Sequence, residues 1–322
     1  MNKKLKITLA VAATLIVAGV LAFVIGMSSL GWDFNRLDST EYTAESYAAA
    51  ADSGVTRVEL DVDSFPIEIV KGDAVALDYY KASNSDVIVS CENGVLSVRE
   101  QYNYMPFKTG LFGFGRSSRK YRLTLTDGVT ECFVKGGNGN ITLVGMNFDE
   151  LDIASTNTRI VLSDCDIRSF SVDCTNLTMI VKNCKLGTVV ADGTNADIEI
   201  IGCNGDGASI SGTNLDIVVS GSSFAQTTID GTNCGVVVKD GTYDKLSVVG
   251  TNGDYRLKNI FTDALKVRAT NLDAVIEING KAAEYTVKTH GRGMPPERIG
   301  STDKTIELSG TNNDVKLIFT EG

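Results

Sequence analysis

Three sets of residues in this 322-residue chain have the types and spacing that chemistry requires. The first is a row of carboxylates, Asp197, Asp216, Asp254, Asp273 and Asp314, several of them nineteen residues apart. Paired carboxylates ~5 Å apart can hold calcium or serve as the two acids of a glycosidase. The series is interrupted at Gly235, no aromatic or basic sugar platform adjoins it, and the glycine-rich nonapeptide of calcium-binding β-rolls is missing. The expectation is therefore a solvated acidic face. The second set surrounds the one histidine, His290, which stands near Arg292 and Arg298 in a Gly- and Pro-rich stretch. A general base beside two guanidiniums suits a lyase or hydrolase, but one histidine in this place supplies no credible Ser-His-Asp or Cys-His pairing. The third is the cysteines, 7 in number, an odd count with no C-x-x-C pair. That removes the usual structural zinc site. Cys165, Cys184 and Cys203 are nineteen apart; they read as small apolar residues stacked inward, or as neighbours close enough for a disulfide. The glycine-rich runs 136–139 and 110–115 precede strands or loops rather than helices, so phosphate cradling is not supported. No catalytic, cofactor-binding or metal-binding residue is assigned, and the chain is read as non-enzymatic.

One segment could instead do binding. Between residues 101 and 120 stand Tyr102, Tyr104, Phe107, Phe112 and Phe114, spaced by glycines and followed by Arg116, Arg119 and Lys120. Long loops are often functional, and aromatics above a basic base suit a binding or membrane-touching loop. The competing expectation is a loop folded back over an open end of the core, which a stack of repeats needs.

The elements that would position these residues are written in lines of nineteen. Thr-Asn recurs with asparagine at Asn157, Asn176, Asn195, Asn214, Asn233, Asn252 and Asn271. Asn138 fits one repeat earlier, His290 is expected in the asparagine slot one repeat later, and Thr311-Asn312 closes the series after a slip of three. Such a period is a structural repeat. Counting threonine as column one, columns five and seven are aliphatic (Ile160 and Leu162, Ile198 and Ile200, Ile217 and Val219), as are columns fifteen and seventeen (Phe170 and Val172, Leu246 and Val248). Alternation of this kind is a strand with one buried face. Column nine is Gly, Asp or Asn and column nineteen mostly Gly, giving strand, turn, strand, turn in each repeat. Coils stacking at ~4.8 Å then make an all-β, single-stranded parallel β-solenoid with nineteen-residue rungs. The asparagines are expected to form a structural ladder, tolerating left-handed backbone at the turn and hydrogen-bonding from rung to rung.

The remainder is read by section. Residues 1–6 form a basic N-terminus, 7–30 a transmembrane signal-anchor helix, 31–54 a linker with a short helical turn, 55–136 an irregular β section acting as a cap, and 137–322 the regular solenoid. The run Ile7–Met27 lacks charge and proline, and is long enough to cross ~30 Å of hydrocarbon. Lysines before it and acids after it predict a cytoplasmic N-terminus and a C-terminal domain outside the cytoplasm. A cleaved signal peptide is the alternative, though the apolar run is longer than such peptides carry and lacks an A-x-A site. No cysteine follows closely enough for a lipoprotein anchor. The net charge of −10 argues against a nucleic-acid partner. Expected partners are the membrane, through the helix, and cell-wall or envelope components or other proteins.

This order, an N-terminal apolar segment, then Val58-Glu-Leu-Asp-Val62, Ile67-Glu-Ile-Val-Lys-Gly-Asp73, Asn93-Gly-Val-Leu-Ser-Val98 and Tyr121-Arg-Leu-Thr-Leu125, then glycine- and asparagine-punctuated rungs, resembles a bacterial domain-of-unknown-function family. Its members carry the name "putative adhesin". The resemblance covers roughly residues 55–320, departing where Thr126-Asp127 stands for the family's usual proline and in the regularity of the Thr-Asn series. It implies a membrane-anchored β-solenoid on the cell envelope, working as an adhesin-like scaffold or binding module, and it carries over no catalytic residue. Two other functions are consistent with the residues. One is a polysaccharide-active β-helix lyase or hydrolase using the aspartate row or the His290 loop. The other is the ectodomain of an envelope-stress sensor, for which the short N-terminus leaves little cytoplasmic surface.

Overall fold

The computed structural model describes residues 3–29, 31–32, 41–50, 53–63, 66–83, 85–102 and 119–320. One helix, α1 (Lys3–Ser29), precedes fifteen strands: β1 (Tyr42–Ala48), β2 (Arg57–Asp61), β3 (Ile67–Lys71), β4 (Ala76–Ala82), β5 (Ser85–Glu92), β6 (Val95–Tyr102), β7 (Tyr121–Leu125), β8 (Glu131–Val144), β9 (Asn147–Ser163), β10 (Asp166–Lys182), β11 (Lys185–Ile201), β12 (Asn204–Ser220), β13 (Ser223–Asn279), β14 (Thr286–His290) and β15 (Thr305–Thr320). The chain falls into two compact units. The smaller holds residues 1–43, 81–86 and 102–118, and the larger holds 44–80, 87–101 and 119–322.

In the smaller unit, α1 is apolar around its circumference, with Leu15, Ile16 and Ile25 all more than 65% exposed to solvent. A helix apolar on every side is a helix for the interior of a large core or for lipid. It stops in a Schellman arrangement: the Trp32 N–H donates to Met27 O and the Gly31 N–H to Ser28 O, with Gly31 at φ 65°.

The larger unit is a parallel β-solenoid. β9, β10, β11 and β12 each make one rung, and β13 runs unbroken through several. Neighbouring rungs pair in parallel at an offset of nineteen, as in Val172 against Ala191 and Ile198 against Ile217. Columns three, five, seven, fifteen and seventeen face inward, and so do ten and twelve, which form a short third side to each coil. Ile160, Met179, Ile198, Ile217 and Val236 stack through column five with at most 1% exposure. At ~25 cal/mol per Å² of apolar area removed from water, each of these side chains contributes about 1.5–3 kcal/mol.

The left-handed corner lies elsewhere than the asparagine column. Positive φ falls at column nine, on Gly145, Asp164, Asn183, Gly202, Gly221, Asp240 and Asn259, with φ between 52° and 66°. The Thr-Asn asparagines sit within continuous strands and are not among the positive-φ residues. Glycine, asparagine and aspartate recur at column nine because those residue types enter the left-handed region at least cost. The same corner is tied along the stack, Asp164 N–H donating to Lys182 O and Asn183 N–H to Ile201 O.

Column ten runs Cys165, Cys184, Cys203, Ser222, Gly241. All seven cysteines are thiols. Cys184, Cys203 and Ser222 each accept a hydrogen bond from the backbone of the rung before: the Cys165 N–H donates to Cys184 Sγ at 3.4 Å, Cys184 N–H to Cys203 Sγ at 3.4 Å, and Cys203 N–H to Ser222 Oγ at 3.0 Å. The thiols thus satisfy backbone donors that would otherwise be buried and unpaired. Gly241 ends the series because a side chain has no room there: a Cβ would stand 2.5 Å from the Ser222 carbonyl oxygen and 2.8 Å from the Tyr243 hydroxyl oxygen.

At the N-terminal end, β2 pairs in parallel with β6 and β8, and β3 with β7 and β8, so these strands continue the stack without the nineteen-residue rule. β4 runs antiparallel to β7 and β1 lies beyond it in the sheet order. β1 replaces the helical turn expected before residue 54; Tyr42, Thr43 and Tyr47 are strand formers, and the Ala49 N–H donates to Val75 O. At the other end β15 stacks directly on the last rung of β13, Asn271 opposite Asn312. β14 then adds on the far side of β15, with His290 opposite Ser309. His290 is therefore off the asparagine column. The chain leaves the regular coil after Asn279, since the buried Tyr285, whose hydroxyl donates to Thr262 O, redirects it.

Candidate functional site

Two outward columns flank column three, which faces the core. On one side the Thr-Asn asparagines form an unbroken chain of side-chain hydrogen bonds. Asn157 donates its Nδ2 to Asn138 Oδ1, and Asn176 donates to Asn157. Asn195 donates to Asn176 and Asn214 to Asn195, both at 2.7 Å, then Asn233 to Asn214 and Asn252 to Asn233, both at 2.8 Å. Asn271 donates to Asn252 at 2.7 Å, and Asn312 to Asn271 at 2.9 Å across the excursion that carries His290. An amide has two N–H donors and two acceptor lone pairs. Within the row each amide spends one donor and one acceptor on its neighbours. One N–H and one lone pair are left at every rung.

On the other side stands the aspartate row. Arg256 Nη1 reaches Asp254 Oδ1 at 2.7 Å and Asp273 Oδ1 at 3.2 Å. Among the described residues, the ion pairs include none to Asp197, Asp216 or Asp314. Between the two rows runs a trough of about 1150 Å³ extending from Asn176 to Asn312. Its floor is column three: Leu177, Ala196, Leu215, Cys234, Gly253 and Leu272. A smaller hollow of 460 Å³ continues it past Asn157 and Asn138 to Pro66.

Glycine stands in the floor at position 253 for a packing reason. Tyr255 lies in column five, fully buried, and its ring reaches back under the corner. A Cβ at Gly253 would stand 2.4 Å from the ring and one at Gly250 2.6 Å from the hydroxyl oxygen. Among the described residues the hydroxyl has no hydrogen-bond partner, and burial raises its pKa.

The other sequence-singled residues are placed as follows. Tyr104, Phe107, Phe112 and Phe114 lie outside the described residues, and Tyr102 is an exposed residue at the end of β6. His290 lines a separate hollow of 570 Å³ with Asp230, Arg268 and several threonines, on the opposite side of the asparagine row from the acids. A third hollow, 670 Å³, holds Arg168 paired with Asp149 at 2.9 Å and Lys185 paired with Asp166 at 3.1 Å. Among the described residues there is no group of three or more His, Cys, Asp or Glu that could hold a metal ion. Sequence reasoning treated the asparagine and aspartate columns separately. Their positions two and four, either side of an inward residue, were the signal that they share a trough.

A stack of parallel coils with an open trough along its side, walled by asparagines and aspartates, defines a β-solenoid. Residues 55–293 match the family model for Toastrack DUF4097, and the chain belongs to that family. Among solved structures it is similar to a "putative adhesin" from Parabacteroides merdae, at 12% identity and TM-score 0.47, covering 87% of this chain and 97% of that one. A "putative adhesin" from Bacteroides fragilis gives 10% identity and TM-score 0.41 over 84% and 97%. A "putative lipid binding protein" from Parabacteroides distasonis gives 11% and 0.42 over 87% and 97%. No curated protein matches the chain.

Proposed function

We propose that this chain is a single-pass membrane protein that presents a non-enzymatic β-solenoid outside the cytoplasm, as an adhesin-like binding module or scaffold of the cell envelope. The apolar run of α1, with Lys3, Lys4 and Lys6 at the helix's N-terminal end, supports the anchor and its orientation. The observation that carries the binding role is the trough between the asparagine and aspartate rows, whose asparagine wall repeats without a break over successive rungs. A catalytic site needs a few convergent groups at one place; a surface that repeats the same groups along its length suits a polymer.

The test is site-specific photo-crosslinking in intact cells that make the protein. A photoreactive residue at Gly235, the gap in the aspartate wall of the trough with room for a side chain (nearest contact 3.6 Å), is compared with one at Ser209, exposed on another face of the coil. Adducts from position 235 and none from 209 are expected. No adduct at 235, or equal adducts at both, overturns the reading.

A further inference from the structure

We propose that the trough docks an extended, basic polypeptide in polyproline II conformation, with a Lys or Arg at every third position. This rests on the reading of the chain as a binding module and names its ligand class.

Charge comes first. The wall opposite the asparagines carries Asp197, Asp216, Asp254, Asp273 and Asp314 against one guanidinium, that of Arg256. An anionic polymer would be repelled along its length, whereas a cationic one finds carboxylates spaced along that wall. Hydrogen bonding comes second. The asparagine row offers one spare N–H and one spare lone pair per rung. A polyproline II strand makes no internal hydrogen bonds, so its carbonyls are free to accept from that row. Pitch comes third. Three polyproline II residues rise about 9.3 Å, and two rungs about 9.6 Å. Every third side chain therefore meets every second rung. The rungs carrying Asp216, Asp254 and Asp314 are two apart in the stack, because Asp216 pairs with Gly235 and Asp273 pairs directly with Asp314. A β-strand ligand repeats every two residues, ~6.6–6.8 Å, and matches neither one rung nor two.

The experiment uses the full chain in detergent micelles and a fluorescent (Lys-Pro-Pro)4 peptide at low salt, read by anisotropy. Saturable binding is expected, with none for (Glu-Pro-Pro)4 and about tenfold weaker binding for (Lys-Gly-Gly)4, which has the same charge but must lose chain entropy. The Asp216→Asn/Asp254→Asn variant is expected to weaken (Lys-Pro-Pro)4 about tenfold or more. The Asp173→Asn/Asp192→Asn variant, which removes two exposed carboxylates on the other side of the asparagine row, should stay within about twofold, as screened surface charges do. All four carboxylates are exposed, and an Asp216→Ser/Asp254→Ser pair repeats the test should the first variant melt early. Equal losses in the two double variants, equal binding of the two lysine peptides, or no binding overturns the proposal. Should position 235 crosslink in cells while (Lys-Pro-Pro)4 fails to bind, the ligand class falls and the binding module stands. Should neither occur, both fall.

Discussion

The asparagine row makes a quantitative prediction. Asn214→Ala removes two hydrogen bonds, its own donation to Asn195 at 2.7 Å and the one it receives from Asn233 at 2.8 Å. Both partners are exposed, so water replaces much of what is lost and each bond counts at the low end, about 0.5 kcal/mol. The single variant should cost about 1 kcal/mol, and Asn195→Ala the same, since it also loses two. The double variant loses only three bonds, because one is shared. It should cost about 1.5 kcal/mol rather than 2, a coupling of about 0.5 kcal/mol. Asn176→Ala with Asn233→Ala shares no bond and should be additive. Urea unfolding of the full chain in micelles, followed by circular dichroism, measures all of these. An additive Asn195/Asn214 pair, or single variants with no cost, would refute the idea that direct amide bonds tie the rungs together.

Three further outcomes follow from the corners, the thiols and the phenols. Asn183→Ala places a Cβ-branching-free but non-glycine, non-Asx residue at φ 52° and should cost about 1–2 kcal/mol by the same urea assay, whereas Asn183→Gly should not. A thiol reagent should label Cys91, the one partly exposed cysteine, in the native protein and all seven after denaturation; desolvation alone pushes the buried Cys132 thiol up to about 12. Burial, helped by a hydrogen bond to Glu45, raises Tyr79 to about 12 from 10.0. The folded state therefore holds the neutral phenol: the stability this contributes is complete below pH 10 and is lost as pH rises toward 12, visible as a melting point that falls across that window and falls less in Tyr79→Phe.

The coil was legible because its signal is periodic twice over, every two residues along a strand and every nineteen along the chain. Ile198, Ile200, Ile217 and Val219 could be placed inward from type and position alone. The short third side was harder to see. Columns ten and twelve supply only two inward residues per rung, and thiols, serine and glycine share column ten. The asparagine column was misread at its backbone because asparagine has two uses, left-handed corners and side-chain ladders; Asn183 serves the first and Asn176 the second. His290 fitted the count of nineteen but not the stack, since the space filled by Tyr285 decides where the coil ends, and packing of that kind leaves no period. The trough was hidden for a related reason: it belongs to two columns at once, and the glycine in its floor, Gly253, is required by a tyrosine two residues away.

The nineteen-residue coil as an interchangeable unit is tested most directly by deletion. Removing 194–212 takes out one whole rung and joins Gly193 to Thr213, keeping every later column in place. Removing 194–211 takes out one residue fewer, and from that point on moves each buried column to the outside. The first variant should keep its β-sheet circular dichroism and melt cooperatively within a few degrees of the parent, while the second should lose both. Two variants that melt alike, folded or unfolded, would contradict the account.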